Sequence, residues 1–119
     1  MCGYAVPAEP GSLAGSGAVA ELQELLRKRS LIERELRLLR LRLAELREAR
    51  KVLESGRPRK VFRGVGGLLI EVSVEEALKY VKDEEEVLEV RVSSLERELK
   101  EVSAKVAELE SRLGLSRRF

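Results

Sequence analysis

A chain of 119 residues supplies one domain, and with aromatics at 3% and no Trp it lacks the large side chains around which a compact globule packs. Lys and Arg number 23 against 21 Asp and Glu, a formal net charge of +2, so no overall field directs the chain to nucleic acid or to an anionic membrane. His is absent and Cys2 is the single cysteine, which excludes an internal disulfide, a Cys/His zinc site and His-based acid–base catalysis.

What remains is 44% hydrophobic and 37% charged, the composition of long paired helices, whose narrow seams take aliphatic residues and whose outer faces take charges. Asn is absent and Gln occurs once, at Gln23, a bias described for proteins that work hot. No stretch reaches the roughly eighteen apolar residues of a membrane span. Residues 1–17 lack the basic start and apolar core of a signal peptide, so the expectation is a soluble, cytoplasmic protein.

Residues 1–17 carry Pro7, Pro10, Gly3, Gly11, Gly15 and Gly17 and are expected to form a flexible leader. From Ala18 to Glu54 neither Gly nor Pro occurs, and the run predicts a helix of ~55 Å at about 1.5 Å per residue. Heptads counted from Leu22 as position a place Leu22, Leu36 and Leu43 at a, and Ala18, Leu25, Ile32, Leu39, Leu46 and Leu53 at d. Arg29 and Arg50 also fall at a. The expectation for both is a stem lying along the seam and a guanidinium reaching water.

Ser55, Gly56 and Pro58 stop this helix. A hairpin is predicted over 60–72, with Val61-Phe62-Arg63-Gly64-Val65 and Leu68-Leu69-Ile70-Glu71-Val72 as strands around Gly66-Gly67. The favoured tight turn calls for positive φ at both glycines. Alternation assigns Leu68, Ile70 and Val72 to one face and Leu69 and Glu71 to the other. Ser73 and Glu76 have the spacing of a capping box that opens a second helix, expected over 74–113 and ending at Gly114 before a flexible tail, 114–119. Heptads from Leu78 as a put eleven apolar residues at twelve a and d positions, Glu85 being the exception.

Residues 18–54 hold ten Lys/Arg and seven Asp/Glu (+3), whereas residues 74–113 hold seven and twelve (−5). Opposite signs favour packing of the two helices. The predicted fold is therefore mainly α, a long antiparallel two-helix coiled coil with one β-hairpin at the helix-to-helix connection. A lone hairpin is marginal in water and leaves its edges open, so it must find strands in other subunits.

The stretch Val61-Phe62-Arg63-Gly64-Val65-Gly66-Gly67-Leu68-Leu69-Ile70 resembles the hairpin pattern of the archaeal prefoldin beta subunit family. Leu88-Glu89-Val90-Arg91-Val92-Ser93-Ser94-Leu95-Glu96-Arg97 is similar to that family's second helix. The resemblance covers about Val19 to Leu113. The single hairpin points to the beta type, since the alpha type has two. The first helix departs from the family in being rich in Leu and Arg where many relatives are rich in Gln, and the leader departs in its Pro and Gly.

The resemblance implies a hexamer of two alpha and four beta subunits whose hairpins form a β-barrel carrying six coiled coils. It implies that non-native proteins are held at the tips without ATP and without a cofactor, and are passed to a group II chaperonin. On this reading Val61, Phe62, Val65, Gly66, Leu68, Leu69, Ile70 and Val72 serve oligomerisation. Both chain termini lie at the tip, where Val19, Leu22, Leu25, Leu26, Val106, Leu109, Leu113, Leu115 and Phe119 are the candidate client-binding residues. Leu22, Leu25, Val106 and Leu109 have an equal second reading, as residues that complete the seam. A structural coiled-coil adapter without client binding is the alternative function.

Four further signals carry less. Met1-Cys2-Gly3 resembles the start of amidotransferases with an N-terminal Cys nucleophile, but the large domain such chemistry needs is missing. Gly64-Val65-Gly66-Gly67 lacks the following Gly-Lys-Ser/Thr of a phosphate loop. Asp83-Glu84-Glu85-Glu86 points in successive helical directions and reads as a charged face instead of a metal site. The basic cluster Arg57, Arg59, Lys60 and Arg63 has no stacking aromatics interleaved, which ranks a subunit contact above nucleic acid. No catalytic, metal or cofactor residue is assigned.

Overall fold

The computed structural model describes the backbone of residues 10–56 and 58–115, and the side chains of residues 17–56 and 58–115. Expectations placed on residues 1–9, on Arg57 and on residues 116–119, Phe119 among them, lie outside the described residues. In chain order the elements are α1 (Pro10–Glu54), β1 (Val61–Val65), β2 (Leu68–Val72) and α2 (Val74–Arg112). They form two long helices with a two-stranded antiparallel hairpin between them, the predicted fold class.

The first helix is longer than its sequence suggests. It runs from Pro10, so the expected leader without regular structure is corrected for residues 10–17. A proline fits the first turn of a helix because its fixed φ is already helical and its missing N–H has no partner there. Once a helix is nucleated each added residue gains a hydrogen bond, and the glycines at 11, 15 and 17 cost only about 1 kcal/mol each relative to Ala.

The helix ends follow local chemistry. Gly56 adopts φ 71° and donates its N–H to the carbonyl of Leu53 at 3.2 Å, which closes α1. At α2, the Ser73 hydroxyl accepts the Glu76 N–H at 3.0 Å and donates to the Glu76 carboxylate at 3.3 Å, satisfying one of the free donors of the first turn. At its far end Gly114 has φ 74°, Leu115 N–H reaches the Glu110 carbonyl at 2.7 Å and Gly114 N–H the Ser111 carbonyl at 3.1 Å. This paired set is a Schellman motif, and it requires the glycine because left-handed φ brings Cβ against the following carbonyl.

The described residues divide into two units, Glu35–Leu95 and the remainder of both helices. Within Glu35–Leu95 the buried residues are Leu36, Leu43, Leu46, Leu53, Ala77, Val81, Val92 and Leu95. Arg47 pairs with Glu89 at 3.0 Å, Arg50 with Glu85 at 2.7 Å and Lys82 with Glu54 at 3.9 Å. Residues rise along α2 as they fall along α1, so the helices here are antiparallel. Within the other unit Leu22, Ile32, Val102, Val106 and Leu109 are buried, and Lys28 pairs with Glu98 at 3.4 Å. Of the thirteen buried hydrophobic residues among the described side chains, all but Ala77 occupy predicted a or d positions.

Candidate functional site

The hairpin pairs Val61 with Val72, Phe62 with Glu71, Arg63 with Ile70, Gly64 with Leu69 and Val65 with Leu68. Gly66 and Gly67 form the two-residue turn that this register requires. Only Gly66 has positive φ, at 62°, which corrects the expectation of positive φ at both. One positive φ at the first central residue is the pattern of a type II′ turn, the other turn whose twist suits a hairpin.

One end of the hairpin is anchored. Val61 and Val72 are half-buried and pack with Val74, Leu78 and Tyr80 against the cluster of Leu46, Leu53, Ala77 and Val81. The Arg63 guanidinium lies 4.1 Å from the centre of the Tyr80 ring, an attraction between cation and ring face that ties β1 to α2. An open groove of 650 Å³ runs between these elements, with Arg42, Lys60 and Arg63 among its lining residues.

The rest of the hairpin is uncovered. Phe62, Val65, Leu68, Leu69 and Ile70 are all exposed, Leu69 to 75%. Predicted alternation therefore separates two faces of which neither is covered among the described residues, except where Val61 and Val72 meet the helices. With two strands in the sheet, each strand has an outer edge with no neighbouring strand among the described residues.

The residues predicted for the other end fall into two groups. Leu22, Val106 and Leu109 are buried in the seam, whereas Leu25, Leu26 and Leu113 are half-buried and Val19 and Leu115 are exposed.

Sequence reasoning missed two contacts. The Arg50 side chain keeps 35% of its surface in solvent, but its guanidinium also grips Glu85 with two hydrogen bonds, 2.7 Å from Nε and 3.1 Å from Nη2. The signal existed, since both residues break an apolar a position with opposite charge. Arg63 over Tyr80 had no comparable signal, because their contact depends on how the strand leans on the helix. The acidic run is spent on ion pairs in part, Asp83 with Lys79 at 3.4 Å and Glu85 with Arg50. No group of His, Cys, Asp and Glu able to hold a metal occurs among the described residues, and no described helix is long and apolar enough to cross a membrane.

Comparison with known proteins finds relatives of the same fold. The sequence profile described as Prefoldin subunit matches residues 17–114. The chain belongs to the prefoldin subunit family. A prefoldin subunit beta of Pyrococcus abyssi is 35% identical over 74 residues, 59% of this chain and 63% of that protein. Its counterpart in Pyrococcus horikoshii is 32% identical over the same 74-residue length and shares. The match thus spans 63% of the length of these relatives. The prefoldin beta subunit crystal structure from Thermococcus strain KS-1 superposes with a TM-score of 0.75 at 26% identity, covering 84% of this chain and 89% of that one. The beta2 subunit of the same strain shares the fold, with a TM-score of 0.71 at 22% identity over 76% of this chain and 97% of that one. These prefoldin relatives come from thermophilic archaea, as the shortage of Asn and Gln suggests.

Proposed function

We propose that the chain is a beta-type subunit of a hexameric chaperone, two alpha and four beta subunits, that works without ATP. The hairpins join into a β-barrel, the start of α1 and the end of α2 hold non-native proteins, and the bound chains pass to a group II chaperonin. The observation that carries this reading is the hairpin, five of whose large apolar side chains face solvent beside two open strand edges. Full burial of such side chains contributes about 1.5–3 kcal/mol each, and a two-stranded sheet is marginal without it. Strands of neighbouring subunits would supply both the cover and the missing hydrogen bonds.

At the other end, exposed Val19 and Leu115 and half-buried Leu25, Leu26 and Leu113 offer a small apolar surface. One such surface binds loosely. Several on one assembly gain affinity through effective concentration and still release one at a time, as transfer requires.

The test has two parts. Mass in solution is measured for the chain alone and mixed with an alpha-type subunit, where a hexamer is expected in the mixture. Aggregation of a denatured test protein is then followed without ATP. A hexamer that leaves aggregation unchanged supports a structural adapter instead, and a chain that stays monomeric in the mixture overturns the assembly.

A further inference from the structure

The open groove of 650 Å³ at the base of the hairpin is lined by none of the residues proposed for client binding. Its floor is aliphatic, with Leu46, Ala49 and Val52 from α1, Val61 from β1 and Ala77 and Val81 from α2. Part of this apolar lining is bare, Val52 being 57% exposed and Phe62 52%. The volume lies within the range of about 300–1,000 Å³ over which proteins take up small ligands.

The charged residues of the lining have one sign. Arg42, Lys60 and Arg63 contribute to it, and no Asp or Glu among the described residues does. Lys60 makes no ion pair among the described residues. Arg42 pairs with Glu45 at 3.6 Å, an exposed i, i+3 contact that a better-placed carboxylate replaces at little cost. Arg63 lies over Tyr80, which occupies the flat face of its guanidinium and leaves the donors in its plane for a carboxylate.

These cations mark two ends. Arg63 is held over Tyr80, close in α2 to Lys82, which pairs with Glu54 at 3.9 Å, so Arg63 is level with the end of α1. Lys60 adjoins Val61, which packs on the cluster containing Leu53. Arg42 lies further back along α1, roughly 18 Å from Glu54 at the helical rise. That span matches about six residues of extended chain at ~3.3 Å each. A helical segment of the same length covers only ~9 Å and reaches one end alone.

We propose that the groove binds a short acidic segment of a partner protein in extended form, with an aliphatic pair on the floor and carboxylates at Arg42 on one side and at Lys60 and Arg63 on the other. Apolar contact supplies attraction, and the cations select the partner, because a basic segment meets like charge at both ends. Every lining residue belongs to the unit Glu35–Leu95 of one chain, so the site is complete without the proposed assembly.

Fluorescence anisotropy tests it with a labelled peptide of the order Glu-Glu-Leu-Val-Glu-Glu and the full chain, alone and assembled with the alpha-type subunit. In both states this peptide is expected to bind several-fold more tightly than Lys-Lys-Leu-Val-Lys-Lys or Glu-Glu-Ser-Ser-Glu-Glu, and more weakly as salt rises. Arg42→Gln, Lys60→Gln and Val52→Glu should each weaken it several-fold, while Arg37→Gln, outside the groove, should leave it unchanged; helical circular dichroism verifies that each variant is folded. Absent binding, equal binding of the Ser-containing peptide, or an equal loss in Arg37→Gln overturns the groove as the site. Binding by the lone chain that disappears in the hexamer makes the groove a contact between subunits and overturns the outside partner. A mixture that stays monomeric yet binds through Arg42, Lys60 and Val52 overturns the assembly and leaves the groove standing.

Discussion

Arg50 and Glu85 meet across the seam as a two-toothed clamp, Nε to Oε1 at 2.7 Å and Nη2 to Oε2 at 3.1 Å. Glu85 is 6% exposed and is the one buried charged residue among the described side chains. A carboxylate removed from water must keep its partner, and the guanidinium is the donor that fits it with two parallel bonds. The pair occupies seam positions that an apolar pair would fill at least as well for stability, so its use is to fix which residues of α1 face which residues of α2.

Replacing one partner is therefore expected to harm more than replacing both. Arg50→Met leaves Glu85 buried without its cation and should lower the melting temperature, and Glu85→Leu alone should lower it less. The double variant Arg50→Met with Glu85→Leu should melt at or above the parent temperature, which a double-mutant cycle followed by helical circular dichroism checks. Equal and additive losses in the two single variants would show that the clamp does not couple the helices.

The same clamp predicts how stability depends on pH. Hydrogen bonds donated to Glu85, and then the charge of that carboxylate, hold the Arg50 guanidinium above its ordinary value, already strongly alkaline. A raised folded value gives stability that is complete below the unfolded value and lost only as the pH rises through the folded one. The drop in melting temperature caused by Arg50→Met should consequently be constant across the neutral range. A drop that varies there would assign the effect to another group.

Much of this architecture is legible in the sequence because a coiled coil repeats its rule. Leu36, Leu43, Leu95 and Val106 could be placed in the seam by counting sevens, and Ser73 with Glu76 and Gly114 mark ends through local chemistry alone. Pro10 misled, since proline and glycine raise the odds against a helix without forbidding one that continues from a stable stretch. Tyr80 was silent because its partner, Arg63, comes to it from a strand whose lean is decided by Val61 and Val72 packing on the helices.

Leu36 and Leu95 are each 1% exposed, whereas Leu31 is on the outer face. Leu36→Ala and Leu95→Ala should each cost about 2–5 kcal/mol through lost burial and the cavity left behind. Leu31→Ala should stay within about 0.5 kcal/mol of the parent. Denaturant titration monitored by helix content distinguishes them, and a loss at Leu31 as large as at Leu36 would contradict the seam described.

The turn glycines are unequal, although nothing stands within 4 Å of a Cβ built on either. Space does not separate them, so backbone conformation must. Gly66→Ala forces a side chain into φ 62° and should cost about 1–2 kcal/mol. Gly67→Ala needs no positive φ and should be neutral or stabilising by about 0.4–1 kcal/mol through the unfolded chain. Amide hydrogen exchange at Val65 and Leu68 reads both. Equal destabilisation would require positive φ at both positions and a type I′ turn.

Arg63 and Tyr80 form the last link between the uncovered hairpin and the helices, and removing it should loosen one without melting the other. Tyr80→Leu keeps most of the apolar contact with Val61 and Val72 but loses the ring face beneath the guanidinium, worth about 0.5–1 kcal/mol at an exposed site. Arg63→Gln keeps the length of the side chain and loses the charge, so it should match Tyr80→Leu, and Arg63→Lys should retain part of the effect. β1 is paired to β2 along its length and meets the helices through Val61 and Arg63, so its amides should exchange faster in Tyr80→Leu and Arg63→Gln while those of α2 beyond Val92 are unchanged. Unaltered exchange in β1 would mean that Val61 and Val72 alone set the angle at which the hairpin leaves the helices.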